Sequence, residues 1–185
     1  MASLGGELSA ALAGGRVARI RSARVHDARP LTRLLDAVAA EPEVTLLMLP
    51  GQFGAGVWRR RIADTLADPR GLLLVATVDG ELAGNLGLHP EAHASSAHVA
   101  WLGMSVAREW RGLGLGGALL EAGVSWAADR GIIKVALGVL PGNRRALDFY
   151  THHGFAREGL RTAQYERAGR YYDEVLMARF LGEGP

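Results

Sequence analysis

The stretch "VAREWRGLGLGGALL", residues 106–120, places four glycines (Gly112, Gly114, Gly116, Gly117) within six positions, between an apolar run and a segment of helical period. A glycine cluster of this kind leaves bare backbone where a strand turns into a helix. The first N–H groups of that helix, with no side chain in front of them, form a phosphate-binding geometry. No other feature constrains the fold as strongly, because this one requires a strand, an elbow and a helix in direct succession.

Around it the apolar pattern predicts seven strands and four helices. A strand over Val17 to Ala23 precedes Asp27, a candidate N-cap, with Pro30 in the first turn and Leu31, Leu34, Leu35 and Val38 at helical spacing as far as about Ala40. The segment from Glu41 to Gly56 has prolines, glycines and no clear period, and reads as a loop carrying Leu46, Leu47, Met48, Leu49 and Phe53. A second helix runs from about Val57 to Ala67, and two apolar strands flank Asp79-Gly80, a strong hairpin signal. The strand from His98 to Val106 feeds the glycine cluster. Leu115, Ala118, Leu119, Ala122 and Trp126 then share one helical face, with Gly131 as C-cap. A strand over Ile132 to Val139, a helix from near Asn143 to Gly154, and two long strands around Ala168-Gly169 complete the order. Antiparallel strands followed by one strand-helix-strand crossover predict a mixed α/β sheet with helices on its faces.

With 185 residues, of which 49% are hydrophobic, the chain can bury one substantial core, and residues 17–185 read as a single domain. Residues 1–16 are small and apolar, without a basic start, and are interrupted by Glu7, Gly14 and Gly15; they read as a flexible extension rather than a signal peptide. A formal net charge of +2 gives no large positive field, so nucleic acid is not an expected partner. No apolar run is long enough for a membrane span, which makes a cytoplasmic protein the expectation. The absence of cysteine excludes disulfides, thiolate metal sites and a cysteine nucleophile, and no metal is expected.

Two signatures fit the glycine letters. Gly112, Gly114 and Gly117 satisfy GxGxxG, the dinucleotide fingerprint, whereas Arg111, Gly114 and Gly116 satisfy Arg-x-x-Gly-x-Gly, a coenzyme A signature. The dinucleotide reading fails twice. Ala107, Arg108, Glu109, Trp110 and Arg111 separate the strand from the first glycine, and the next strand ends in Gly138, Val139, Leu140 and Pro141 without the carboxylate that would bind a ribose. A P-loop fails because Ala118 and Leu119 stand where lysine and serine or threonine are needed.

"VAREWRGLGLG" followed about 30 residues later by "NRRALDFYTHHGF" (Asn143 to Phe155) resembles the two acetyl-CoA motifs of the GNAT superfamily of N-acetyltransferases. The likeness covers about residues 17–181. The segments "EPEV" and "HVAWLGMSV" and the ending "FAREGLRTAQYERAGRYYDEVLMARFL" further resemble the bacterial branch that acetylates free amino acids or other small amines and, less closely, the ribosomal-protein N-terminal acetyltransferases. The resemblance implies a mostly antiparallel seven-stranded sheet whose fourth and fifth strands splay apart, with helices on both faces. It implies acetyl-CoA as co-substrate, its pantetheine met by backbone groups of Met104, Ser105 and Val106. It also implies a pyrophosphate held by Arg111, Gly112, Leu113, Gly114, Leu115, Gly116 and Gly117, and a pantetheine contact from Asn143, which is equally suited to cap its helix.

By the same resemblance Tyr150, two helical turns beyond Asn143, is the catalytic acid that protonates the departing thiolate. Without cysteine no thioester acetyl-enzyme can form, which favours direct attack by a bound amine. The base stays open among His98, His89, His93, Glu81, Glu158 and water. Arg144 and Arg145 are candidates for the coenzyme's 3′-phosphate, or are plain surface arginines. The expected acceptor is a small-molecule primary amine, bound by the loop from Glu41 to Gly56 and by the terminal hairpin, where "YYDE" (Tyr171 to Glu174) lines a pocket or is simply a solvated face. That loop offers only Glu41 and Glu43 as carboxylates, which disfavours polyamines. A protein N-terminal acetyltransferase and a non-catalytic acyl-CoA sensor are the alternatives, and a homodimer through the terminal strands is compatible with the pattern.

Overall fold

The computed structural model describes residue 4 and residues 6–41 and 48–182. In chain order it contains β1 (Leu8–Ala11), β2 (Val17–Ser22), α1 (Ala28–Ala39), α2 (Ala55–Ala67), β3 (Leu72–Val78), β4 (Glu81–Pro90), β5 (Val99–Val106), α3 (Leu115–Ala128), β6 (Lys134–Val139), α4 (Arg144–His152), β7 (Ala156–Arg167) and β8 (Arg170–Phe180). One sheet takes them in the order β1-β2-β3-β4-β5-β6-β8-β7, antiparallel throughout except for the parallel pair β5 and β6. The expected seven strands are thus eight. The extra one lies within residues 1–16, so the expectation of a flexible extension is corrected over that stretch: β1 pairs with β2 from Leu8↔Ile20 to Ala11↔Val17, and Leu12 is buried in the core.

Period-two alternation divides the core into two layers. On one face Ile20, Leu74, Leu86, Leu88 and Leu102 pack with Leu115, Leu119 and Leu120 of α3, and with Leu147 and Tyr150 of α4. On the other face Leu73 and Val75 pack with Leu31, Leu34, Leu35 and Val38 of α1, and with Ile62 of α2. The four apolar positions expected on α1 are therefore its buried stripe. Asp27 stands at the N-cap position of α1, yet its carboxylate does not cap that helix. It accepts from the Arg24 backbone N–H at 2.7 Å and from both terminal nitrogens of Arg21 at 2.7 and 2.9 Å. Burial alone would raise this carboxyl's pKa; the hydrogen bonds from Arg21 and Arg24 outweigh it and hold the group below the ordinary aspartate value.

The feature that positions everything else is a fork. β5 and β6 pair only over Val99↔Lys134, Ala100↔Val135 and Trp101↔Ala136, and then separate. Leu102 to Val106 keep their partner on the β4 side alone.

Candidate active site

Strand parity decides which backbone groups face the fork. Ala107 N–H donates to Ala83 O at 2.9 Å and Glu91 N–H to Val99 O at 3.1 Å, so the odd-numbered residues of β5 turn their backbone polar groups toward β4. The even ones turn theirs away, as His98 O shows by accepting from Lys134 N–H at 3.1 Å across the closed end. Met104 and Val106 therefore present backbone polar groups to the gap, and Ser105 does not: it stands opposite Asn85 in the antiparallel ladder. Of the three residues expected to meet the pantetheine by backbone, two keep that geometry. Ser105 is nonetheless among the residues that line the cavity.

The open end of the fork leads to the glycine elbow. Gly112 and Gly114 adopt φ of 76° and 98°, values at which a side chain is strained. Gly114 is the N-cap of α3 and supplies no side-chain cap. Among the described residues the first N–H of α3 with a backbone acceptor is that of Ala118, bonded to Gly114 O at 3.1 Å. The N–H groups ahead of it form a cationic pole. A Cβ at Gly116 or Gly117 would meet the Phe149 ring at 3.5 Å and the His153 ring at 3.4 Å, ordinary contacts, so these two glycines matter by leaving the helix N-terminus bare rather than by avoiding a clash.

A cavity of about 620 Å³ joins these parts, lined by Met104, Ser105 and Val106, by the glycines of the elbow and by one face of α4. Asn143 lines it and also caps α4, its Oδ1 accepting from Ala146 N–H at 3.1 Å, which leaves the amide nitrogen as the donor for a ligand. The capping role read from the sequence is thus present, and the side chain also borders the cavity. Tyr150 lines the same wall, packed edge-on against Phe149 (5.2 Å) and Phe155 (5.4 Å). Among the described residues its hydroxyl has no hydrogen-bond partner, and burial raises its pKa well above that of an exposed phenol.

Three residues of the expected elbow commit their side chains to the protein itself, Arg111 while still lining the cavity. The Arg111 guanidinium is held bidentately by Glu41 at 2.7 and 2.6 Å, while its Nε donates to Val106 O at 2.8 Å. Its charge is neutralised in place, so the elbow's attraction for an anion rests on backbone N–H groups. Leu113 and Leu115 turn their side chains into the core, and only their backbone belongs to the elbow. Leu113 O accepts from Ala13 N–H at 3.0 Å, a tie from the N-terminal segment.

Sequence reasoning missed His153, Phe149, Ala146 and Val38, which also line the cavity. The first three repeat at the three- to four-residue spacing of Asn143 and Tyr150, so a helical wheel drawn on Asn143 finds them. Arg145 lines the cavity and Arg144 does not.

None of the proposed bases lines this cavity. Glu158 is paired with Lys134 at 2.7 Å, and His93 accepts from Ser95 N–H at 3.2 Å. His89, opposite Trp101 in the ladder, has its pKa lowered by burial and by the charge of Arg61, which keeps it neutral at pH 7. In the loop expected to shape the acceptor site, Glu43, Leu46 and Leu47 lie outside the described residues. Met48 packs on the α1 and α2 layer and Phe53 lies under Arg61 at 4.4 Å, so these two serve packing. At the terminal hairpin Tyr171 is 74% exposed, whereas Glu174 is 7% exposed. The "YYDE" segment is therefore a solvated face at one end and a buried polar site at the other.

Comparison with known proteins identifies the family and the fold. The acetyltransferase (GNAT) family matches residues 43–155. An L-amino acid N-acetyltransferase of Escherichia coli (strain K12) is 30% identical over 145 residues, covering 77% of this chain and 87% of that protein. Among solved structures, a GNAT-family acetyltransferase from Streptococcus pneumoniae superposes with a TM-score of 0.81 at 24% identity, covering 89% of this chain and 99% of that one. RimJ of Mycobacterium smegmatis, solved in complex with CoA-disulfide, superposes with a TM-score of 0.74 at 26% identity over 94% of this chain and 86% of its own.

Proposed function

Because the chain belongs to the acetyltransferase (GNAT) family, we propose that it transfers the acetyl group of acetyl-CoA to the primary amine of a small molecule, an amino acid or a related amine, in the cytoplasm. The observation that carries this reading is the continuous cavity from the N-terminus of α3, along the unpaired edge of β5, to the buried Tyr150. A long ligand with phosphates at one end and an apolar arm at the other fits its sequence of environments. Acetyl-CoA supplies an activated acyl group on a thiolate leaving group. The residues present fit it: N–H donors without side chains for the pyrophosphate, strand backbone for the pantetheine amides and a phenol for the sulfur.

One of the backbone N–H groups that β5 turns into the gap, that of Met104 or of Val106, donates to the carbonyl oxygen as it gains charge under attack by the amine. Tyr150 donates its proton, or a hydrogen bond, to the sulfur as the C–S bond breaks. A phenol buried at this point is a weaker acid than in water, but the same surroundings disfavour the thiolate too, so the two acidities move together. With no cysteine in the chain, direct attack by the amine is the mechanism proposed, without an acetyl-enzyme; the amine's proton passes to water, since none of the candidate basic side chains lines the cavity, and Tyr150 regains its proton from solvent.

The test is thiol release from acetyl-CoA with amino acids, polyamines and short peptides as acceptors, together with thermal melting in saturating acetyl-CoA. The expected result is a raised melting temperature and turnover with small amines. Lack of any shift removes the co-substrate assignment, turnover with peptides alone replaces the acceptor class, and a shift without turnover by any amine makes the chain an acyl-CoA sensor.

A further inference from the structure

On the sheet face opposite α3, the closed end of the fork carries polar side chains that the cavity above does not use. Trp101 and Ala136 form the last rung, and continuing the parallel register places Gly103 beside Gly138, two positions without side chains where the strands part. The Glu174 carboxylate lies directly over Gly138: a Cβ at residue 138 would stand 1.9 Å from its Oε1. Both oxygens are occupied, Oε1 by the Tyr165 hydroxyl at 2.6 Å and Oε2 by Arg161 Nη1 at 3.2 Å. The Arg161 guanidinium carbon is 5.6 Å from the centroid of the Trp101 ring, whose Nε1 donates to Glu91.

This cluster depends on an irregular strand. Arg161 pairs with Glu174, but Tyr165 pairs with Tyr172, so β7 takes four steps where β8 takes two. In a regular strand Arg161 and Tyr165 stand about 13 Å apart and cannot share one carboxylate. The bulge that brings them together holds Ala163 at φ 50° and binds its N–H to Asp173 at 2.8 Å. Bulges re-aim side chains beside active sites, and a strained non-glycine residue persists only where its surroundings enforce it.

Arg161 keeps a 44% exposed side chain, and among the described residues its Nε and Nη2 have no hydrogen-bond acceptor. A guanidinium aimed by a buried carboxylate, with two planar donors free, is the geometry that takes a carboxylate bidentately. Each Glu174 oxygen already accepts a hydrogen bond and the residue is 7% exposed, so the Arg161 guanidinium is the group of this cluster that faces a ligand. We propose that Arg161, positioned by Glu174 and Tyr165, anchors a carboxylate of the acceptor at the Trp101–Ala136 fork. The acceptor is then an amine that bears a carboxylate close by, as an α-amino acid does. The assignment rests on the acetyl transfer proposed above: phosphates at the α3 end of the cleft put the reactive end of the co-substrate toward this fork.

The experiment measures steady-state acetylation of L-alanine, L-leucine, L-glutamate and L-phenylalanine and of their α-carboxamides by the wild type and Arg161→Met, with acetyl-CoA affinity measured by calorimetry. The wild type is expected to prefer the acids by at least about tenfold in kcat/KM. Arg161→Met is expected to raise KM for the acids by a similar factor and so to remove the preference for acid over amide, leaving the acetyl-CoA Kd unchanged. Equal use of acids and amides by the wild type, no turnover of any acid, or an equal loss for both in the variant overturns the anchor. If the wild type fails to bind acetyl-CoA, the acetyl-transfer reading falls with it, and the calorimetry separates that case from the others.

Discussion

The Tyr150 phenol reaches the cavity wall from a nine-residue helix and is fixed there by ring contacts with Phe149 and Phe155 rather than by any hydrogen bond to its oxygen. Tyr150→Phe therefore removes the proposed proton donor and preserves the packing. The variant is expected to lose about 100-fold in kcat, with an unchanged melting temperature and an unchanged acetyl-CoA Kd; thiol-release kinetics and thermal melts check both. A wild-type rate in the variant makes water the acid. Burial moves the Tyr150 pKa upward, so the hydroxyl stays protonated through the alkaline range in which an exposed phenol ionises, near pH 10. The rate accordingly holds between about pH 8 and pH 10 instead of falling with phenol ionisation.

Between elements, one ion pair fastens the end of α1 to the elbow and another ties the start of α1 to β2. Glu41, just past α1, holds Arg111 at the elbow, and Arg111 in turn holds Val106 O at the end of β5. Glu41→Gln breaks a pair whose side chains are 8% and 18% exposed. It is expected to cost about 2 kcal/mol of stability and to weaken acetyl-CoA about tenfold by loosening the elbow. Tighter binding in calorimetry would mean instead that the pair acts by neutralising Arg111. The Asp27–Arg21 pair has a definite pH signature. Its carboxyl pKa is lowered by folding, so its stabilisation is present above the unfolded value of about 3.9 and lost as pH falls through the folded one. Asp27→Asn should be less stable by about 2 kcal/mol at pH 7, with the difference shrinking in denaturant titrations below about pH 4.

These pairs also mark where a linear sequence stops being informative. The elbow was legible because glycine spacing encodes backbone geometry locally, and Asn143 and Tyr150 because seven residues bring a helix back to nearly the same face. Glu41 and Arg111 are 70 positions apart, and no local pattern pairs them. Ser105 was grouped with Met104 and Val106 because only the ladder with β4, set by long-range register, decides which of three consecutive residues turn toward the fork. Glu174 read equally well as solvated, since its burial depends on a glycine in another strand.

At the scale of the whole molecule, the N-terminal segment both forms one edge of the sheet and ties to the glycine elbow. β1 is only four residues long, "LSAA", too short and too small-chained for its alternation to stand out, and so it escaped a reading by period. Its contribution is nonetheless tertiary: Leu12 is 6% exposed, Ala13 N–H is bonded to Leu113 O inside the elbow, and the Arg16 guanidinium lies 5.3 Å from the Trp110 ring centroid. Deleting residues 1–16 removes all three. Losing the burial of Leu12 alone is worth about 2 kcal/mol, which for a domain of this size lowers the melting temperature by roughly 5 °C. Because the Leu113 carbonyl is also released, the deletion is expected to weaken acetyl-CoA several-fold. Leu12→Ala, which keeps the backbone tie, is expected to lower the melting temperature while sparing the affinity. Melting curves and calorimetry on the two variants separate the roles: a deletion that melts like the full chain refutes the structural one, and equal acetyl-CoA affinities in deletion and point variant refute the support of the elbow.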